Sequence, residues 1–265
     1  MSNSQHRPSS VKLAVAVATD PGRNPHKQVN EDAFAEKVFP IGHLLIVCDG
    51  AGGHAGGKEA SELAVRTMLE HMAPVPADGH PVESLKKAIR HTAEAVDDLG
   101  GPFDPAPPGS TMVLVLCHPS GSEVAHIGDS RAYLIRNSQI EQLTRDHSRA
   151  QEMIDDGILK PEHAREHRDG NRLTRALGMD WRIEADFRPT PIAHRVGDVF
   201  LLVTDGLTDL VSSEEILAVV LNAQQTLGLD AACRQLVALA NERGGKDNIT
   251  VMLAQIVECP PCQES

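Results

Sequence analysis

The sequence predicts an α+β fold: two stacked antiparallel β-sheets flanked by pairs of helices, with a helical flap inserted late in the chain. Three observations point there. Short apolar runs at 44–48, 112–117, 124–127, 199–203 and 249–254 include several that are apolar at every position, as strands covered on both faces are. Helical spacing comes in pairs between groups of strands, at 59–72 with 82–97 and at 214–221 with 229–241. Residues 122–143 have hairpin-like spacing, which favours antiparallel sheets over a doubly wound one.

Taken in order, residues 13–18 alternate and read as a first strand rather than the apolar part of a signal peptide. The strand at 44–48 leads into a glycine-rich loop and the first helix pair. The Pro-rich stretch 102–108 reads as a surface connection. Between 147 and 169 the chain is charged and rich in His, and Met153, Ile154 and Ile158 give only a thin apolar stripe, the signature of a helical insertion. The clearest helix is 229–241, where Leu229, Ala232, Leu236, Leu239 and Ala240 repeat at helical spacing. No internal repeat and no long linker divides the chain. One domain is therefore expected over 11–257, with loose tails at 1–10 and 258–265.

Composition removes several function classes. A hydrophobic content of 41% supplies a sizeable core, so general disorder is excluded. A net charge of -12 argues against nucleic-acid binding, and 3% aromatics leaves little to stack on bases. No run approaches the roughly 18 apolar residues of a membrane span. Five cysteines in a chain of 265 residues do not make a disulfide framework, and Cys48 and Cys117 sit inside apolar runs. Cys259 and Cys262 have redox spacing but stand in the tail. A cytoplasmic location is expected.

The chemistry lies in a recurring arrangement. Leu44–Cys48 runs into Asp49-Gly50, Val124–Gly128 into Asp129, Phe200–Thr204 into Asp205-Gly206, and Asp247 directly precedes the strand at 249–254. If these strand ends meet, several carboxylates share a small volume and cannot all stay ionised without cations. Oxygen donors without zinc-type His/Cys spacing call for Mg²⁺ or Mn²⁺. A single Asp-Gly is more often a turn; the repetition is what carries weight. Residues 50–57 add five glycines in eight positions, a loop whose backbone can approach a ligand closely, without the closing Lys-Ser/Thr of a Walker loop.

These stretches, with Val29-Asn30-Glu31-Asp32-Ala33, Gly109-Ser110-Thr111, Ile127-Gly128-Asp129-Ser130-Arg131, Leu143–Ser148, Asn171–Gly178, Thr204-Asp205-Gly206 and Lys246–Thr250, occur in one order across about 11–257. In that order they resemble the metal-dependent serine/threonine protein phosphatases of the type 2C (PPM) family, bacterial members above all. The resemblance implies hydrolysis of phosphoserine and phosphothreonine by a metal-activated water, reversing a Ser/Thr kinase, with phosphorylated proteins as substrates and a monomeric enzyme. It implies that Asp49 bridges two cations, that the Gly50 carbonyl binds one, and that Asp205 and Asp247 hold the other. Asp32 and Glu31 would support the waters on those cations, and Asp129 would take a third, weaker ion. The family's usual phosphate-clamping Arg is replaced here by Lys27, with Arg23 as an alternative cation nearby. Ala51 stands where eukaryotic members carry a histidine, leaving His54 as either an acid or a structural residue. The flap, about 144–178, is expected to bias substrate choice. Two rivals are a non-catalytic pseudophosphatase signalling module, which should have lost its metal ligands, and a nucleotide phosphodiesterase.

Overall fold

The computed structural model describes residues 10–27, 29–51, 55–100, 107–161, 163, 167, 170, 172–226 and 228–260. Along the chain come β1 (Lys12–Asp20), β2 (Asp32–Phe39), β3 (Gly42–Ala51), α1 (Ala55–Met72) and α2 (Pro81–Asp97). Then follow β4 (Gly109–Ser110), β5 (Met112–His118), β6 (Gly121–Ile127), β7 (Arg131–Arg136), β8 (Gln139–Gln142) and α3 (Arg149–Asp155). The last third holds β9 (Asp186–Phe187), β10 (Val199–Val203), α4 (Asp205–Thr208), α5 (Ser213–Thr226), α6 (Leu229–Glu242) and β11 (Ile249–Glu258).

Strand order is β1-β11-β10-β7-β8 in one sheet and β2-β3-β5-β6-β9 in the other, with β4 paired to β3. All pairings are antiparallel. Period-2 alternation sends neighbouring residues of one strand into different layers. On β3, Leu44, Ile46 and Cys48 pack in the cluster that contains α1 and α2, whereas Leu45 and Val47 pack between the sheets. On β10, Val199, Leu201 and Val203 join α5 and α6, whereas Phe200 and Leu202 join the central layer. This explains the strands that are apolar at every position: each is covered by helices on one face and by the other sheet on the opposite face. Each large aliphatic chain so buried contributes roughly 1.5–3 kcal/mol.

The helices obey the same logic. On α1, Ala60, Ala64, Met68 and Met72 recur every four residues and are fully buried. Pro81 starts α2, where its missing N–H has no helical partner to lose, and Leu85, Ala88, Ile89, Thr92, Ala93 and Val96 form its buried face. On α6 the buried positions are Ala232, Cys233, Leu236, Val237 and Ala240, with Leu229 and Leu239 at the margin.

Two local expectations are modified. The stretch 122–143 contains one hairpin, β7–β8, turned by Asn137 and Ser138 at φ 52° and 59°, the left-handed pair a tight hairpin uses. β6 instead pairs with β5 in the other sheet, so Asp129 sits where the chain crosses between sheets. In the flap, the helix among the described residues is the seven-residue α3. Ser148 caps its start by accepting from the Gln151 N–H at 3.3 Å, and Gly157, at φ +70°, ends it. Met153 and Ile154 are only half-buried and Ile158 is 66% exposed, too little burial to extend the helix. Of the expected tails, residues 1–9 and 261–265 lie outside the described residues, and Glu258 pairs with Lys12.

Close backbone contacts fix the strand ends. A Cβ on Gly206 would stand 2.0 Å from the Asn248 carbonyl oxygen, and one on Gly50 would stand 2.2 Å from that of Gly57. Gly206→Ala should therefore push the end of β10 away from the start of β11. Urea unfolding is expected to show a loss of about 2–4 kcal/mol; an unchanged midpoint would mean the two segments are not held so closely.

Candidate active site

The two sheets bring their acid-bearing ends to one seam. Pairing of β2 with β3 sets Asp32 opposite Asp49. Pairing of β10 with β11 continues past the strand ends, with the Thr204 N–H donating to the Thr250 carbonyl at 3.2 Å and the Thr250 N–H to Thr204 Oγ1 at 2.9 Å. Asp205 and Asp247 flank that junction. The sheets are joined there by hydroxyls: Thr204 Oγ1 donates to Asp32 Oδ2 at 3.0 Å and Thr250 Oγ1 to the same oxygen at 2.6 Å. Thr250 is itself paired with Thr19 Oγ1 at 2.8 Å, and Asn30 Nδ2 donates to Thr19 at 2.7 Å. These threonines, absent from the sequence-predicted set, lie inside Thr204-Asp205-Gly206 and Lys246–Thr250, but spacing alone could not show that they reach Asp32.

Asp49 is held by its backbone. Its N–H donates to Thr111 Oγ1 at 3.0 Å, and its carbonyl accepts from the Thr111 N–H at 2.8 Å and from Ser110 Oγ at 3.1 Å. Thr111 Oγ1 is in turn 2.7 Å from Ser130 Oγ, which ties Asp49 to the crossover that carries Asp129. Asn248 orders the loop before β2: its Oδ1 accepts from the Glu31 N–H at 2.9 Å, and its Nδ2 donates to the carbonyls of Pro21 and Val29 at 3.0 and 3.1 Å. The Glu31 carbonyl accepts from the Gly50 N–H at 3.2 Å, which aligns Gly50 beside the seam.

The electrostatics are those of an anion cluster. Desolvation, then the charges of Asp32, Asp205, Asp129 and Asp247, push the Asp49 carboxyl well above its ordinary range. Desolvation and Asp129, Asp209, Asp247 and Asp32 do the same to Asp205. Asp32 is raised to about 7 by desolvation, against the pull of its two hydroxyl donors. Asp129 is raised to about 7, by desolvation and then Asp146. Asp32 Oδ1 and Asp205 Oδ1 are buried with no hydrogen-bond partner among the described residues. Lys27 lies against both oxygens of Asp247, and although burial pulls its ammonium down, Asp247, Asp49 and Asp205 raise it overall. One ammonium against four carboxylates is too little positive charge. Unpartnered oxygen donors in a net-negative seam fit hard divalent cations.

The sequence-predicted residues Asp32, Asp49, Asp205, Asp247 and Lys27 thus converge, with Gly50 and the backbone of Glu31. Arg23 does not join them; its guanidinium is 3.7 Å from Asp20. His54 lies outside the described residues. Asp129 shares with Asp205 a cleft of about 620 Å³ walled by the flap through Ala150, Ile154 and Pro161. Arg131, next but one to Asp129, binds Asp146 bidentately, with Nε–Oδ1 at 2.9 Å and Nη2–Oδ2 at 2.6 Å.

Behind the crossover, His126, His147 and Asp186 place their ligand atoms within 4.8 Å of one another. His147 Nδ1 accepts from the Gly128 N–H at 3.1 Å, and its Nε2 lies 3.3 Å from Asp186 Oδ2. Desolvation, His126 and Arg175 lower His147 to about 4. Arg175 Nη2 also contacts His147 Nε2 and its Nη1 reaches Asp186 at 2.8 Å, so the group fastens the flap through hydrogen bonds and both nitrogens of His147 are engaged by the protein.

Comparison with known proteins agrees with this geometry. Residues 22–241 match the family model described as Protein phosphatase 2C. The chain is 35% identical over 248 residues to the serine/threonine phosphatase stp of Listeria monocytogenes, covering 89% of this chain and 93% of that one. Among solved structures, the S. agalactiae serine/threonine phosphatase superposes with a TM-score of 0.83 at 30% identity, covering 92% of this chain and all of that one. The catalytic domain of the serine threonine protein phosphatase PstP in complex with two manganese ions gives 0.78 at 32% identity, covering 94% of this chain and all of that one. With the family model matched over residues 22–241 and such relatives matched nearly end to end, the chain belongs to the protein phosphatase 2C family.

Proposed function

We propose that the seam between the two sheets is where this metal-dependent protein serine/threonine phosphatase hydrolyses phosphoserine and phosphothreonine. The observation that carries the reading is the convergence of Asp32, Asp49, Asp205 and Asp247, with two buried carboxylate oxygens left without a hydrogen-bond partner. Asp49, the Gly50 carbonyl, Asp205 and Asp247 would hold two Mg²⁺ or Mn²⁺ ions, which when bound lower the pKa of a water and neutralise charge on the phosphoryl oxygens. Asp129, sharing a cleft with Asp205, would hold a third.

The remaining work falls to the chain's own groups. Thr204 and Thr250 fix Asp32 through Oδ2 and leave Oδ1 buried without a hydrogen-bond partner among the described residues, where it would accept a hydrogen bond from the attacking water. Lys27, on Asp247 here, would offer its ammonium to a phosphoryl oxygen, as a point charge without the two-pronged grip of an arginine. Neither Cys48 nor Cys117 competes as nucleophile: both are fully buried, and desolvation pushes Cys117 up to about 12 and Cys48 further. The flap forms one wall beside Asp129 and would bias which phosphoproteins enter. By this reading the partners are phosphorylated proteins and the Ser/Thr kinase that makes them, in the cytoplasm. Among the described residues no helix is long and apolar enough to cross a membrane.

Phosphate release from a phosphothreonine peptide is expected with Mn²⁺, to stop with excess EDTA, and to fall about a thousandfold or more in Asp205→Asn. Absence of turnover by folded, Mn²⁺-loaded wild type would favour a non-catalytic signalling role instead.

Removing metal should also expose the strain of the carboxylate cluster. In the metal-free folded state Asp32 keeps its proton up to about pH 7, whereas its unfolded value is near 3.8, so stability drains away as pH rises through that interval. In EDTA, Asp32→Asn is therefore expected to be about 1–4 kcal/mol more stable than wild type at pH 8 and not at pH 4. Urea titrations at the two pH values check this, and an equal difference at both would contradict it.

A further inference from the structure

Outside the seam, a groove of about 690 Å³ runs between α2 and residues 181–187. Its charge is opposite to that of the molecule. Lys86, Lys87, Arg90 and Arg182 line it against two carboxylates, Glu83 and Glu184, in a chain whose net charge is -12. Lys86 is taken by Glu83 at 3.1 Å, and Arg182 by Asp180 at 3.1 Å while its guanidinium lies 5.7 Å from the Trp181 ring. Lys87 and Arg90 are exposed and make no ion pair among the described residues. The groove is also apolar enough to hold a side chain: Ile89 is buried, Ile183 and Phe187 are half-buried, and Trp181 is 50% exposed. Aromatic and cationic residues around an apolar floor are the composition of a recognition surface.

The groove is joined to the seam by a short piece of backbone. Leu177 and Ser110 exchange two hydrogen bonds, at 3.1 and 2.8 Å, and Ser110 Oγ donates to the Asp49 carbonyl. Trp181 follows Leu177 by four residues, so its backbone is within about 14 Å of that of Leu177. A polypeptide that presents a phosphoresidue to the seam can therefore reach the groove with a few more residues.

We propose that this groove docks an acidic stretch of the phosphoprotein substrate, with an apolar side chain against Trp181 and carboxylates facing Lys87 and Arg90. The proposal rests on the protein-phosphatase reading and names the substrate class that reading leaves open. Charge complementarity selects this occupant: four cations against two carboxylates line the groove in a chain of net charge -12, and Lys87 and Arg90, without an ion pair among the described residues, receive its carboxylates.

Trp181 is the single tryptophan of the chain, so its fluorescence reports the groove directly. A tryptophan-free, unphosphorylated peptide with a Leu beside a Glu run should change that fluorescence saturably in EDTA, and a Lys-run peptide should not. Lys87→Glu/Arg90→Glu is expected to weaken acidic-peptide binding about tenfold at low salt, each exposed charge contributing a few-fold. The same variant should raise KM for an acidic phosphothreonine peptide about tenfold without changing kcat. It should lower KM for a basic one and leave p-nitrophenyl phosphate hydrolysis unchanged. Equal binding and equal KM for acidic and basic peptides, with p-nitrophenyl phosphate still hydrolysed, would overturn the docking site and leave the phosphatase reading intact. If wild type hydrolysed neither phosphopeptide nor p-nitrophenyl phosphate with Mn²⁺, the phosphatase reading would fall, and the fluorescence titration alone would still decide the groove.

Discussion

Two threonine hydroxyls, from the end of β10 and the start of β11, donate to one oxygen of Asp32, which belongs to the opposite sheet. This contact sets the distance between the sheets where their acidic ends meet. It also decides how the Asp32 carboxylate is divided: one oxygen is fixed by the fold and the other is buried without a hydrogen-bond partner among the described residues. The hydroxyl of Thr204 is oriented by the N–H of Thr250, and Thr250 is backed by Thr19 and Asn30. Apolar packing between the sheets brings the layers together, but it has no directional preference; the hydroxyls supply the register.

Against that constraint works the repulsion of the carboxylates themselves. Placing Asp32, Asp49, Asp205 and Asp247 together is unfavourable in every state that lacks compensating positive charge. Buried backbone contacts at Gly50 and Gly206 hold the acids in place regardless, because the chain around them cannot relax without opening the strand ends. The stability of the layered core is thus used to keep a site that would disperse if left to itself.

Much of this was legible in the sequence because the strands that deliver the acids are buried on both faces and show it at every position. Asp49 and Asp205 were marked by the Gly that follows each. β2 was missed as a strand because Asp32–Phe39 is an edge, with Val38 68% exposed and few apolar residues in alternation. His and charge content with a thin apolar stripe predict a helical flap, but beyond α3 its described part is held by isolated bridges at Ser148–Leu173 and Ser110–Leu177, which leave no periodic signal. The links of Lys27 to Asp247 and of Thr250 to Asp32 join residues 220 and 218 positions apart, and no local pattern encodes a pairing at that range. Such contacts follow from topology, and topology was only implied by the order of the strands.

The place of β11 between β1 and β10 has a consequence for biosynthesis. Lys12 pairs with Glu258, 246 positions away, so the first strand made must wait for the last before its sheet can close. At 5–20 residues per second the wait is on the order of 10–50 s. During that interval β1 and β10 share no partner, and Asp247 and Thr250 have not been synthesised. The other sheet, which draws on residues 32–187, can assemble well before. A ribosome-bound chain therefore passes through a long stage in which the sheet that carries Asp32 and Asp49 is layered and the sheet whose strand ends lead to Asp205 and Asp247 is not, and the carboxylate cluster is completed abruptly with β11.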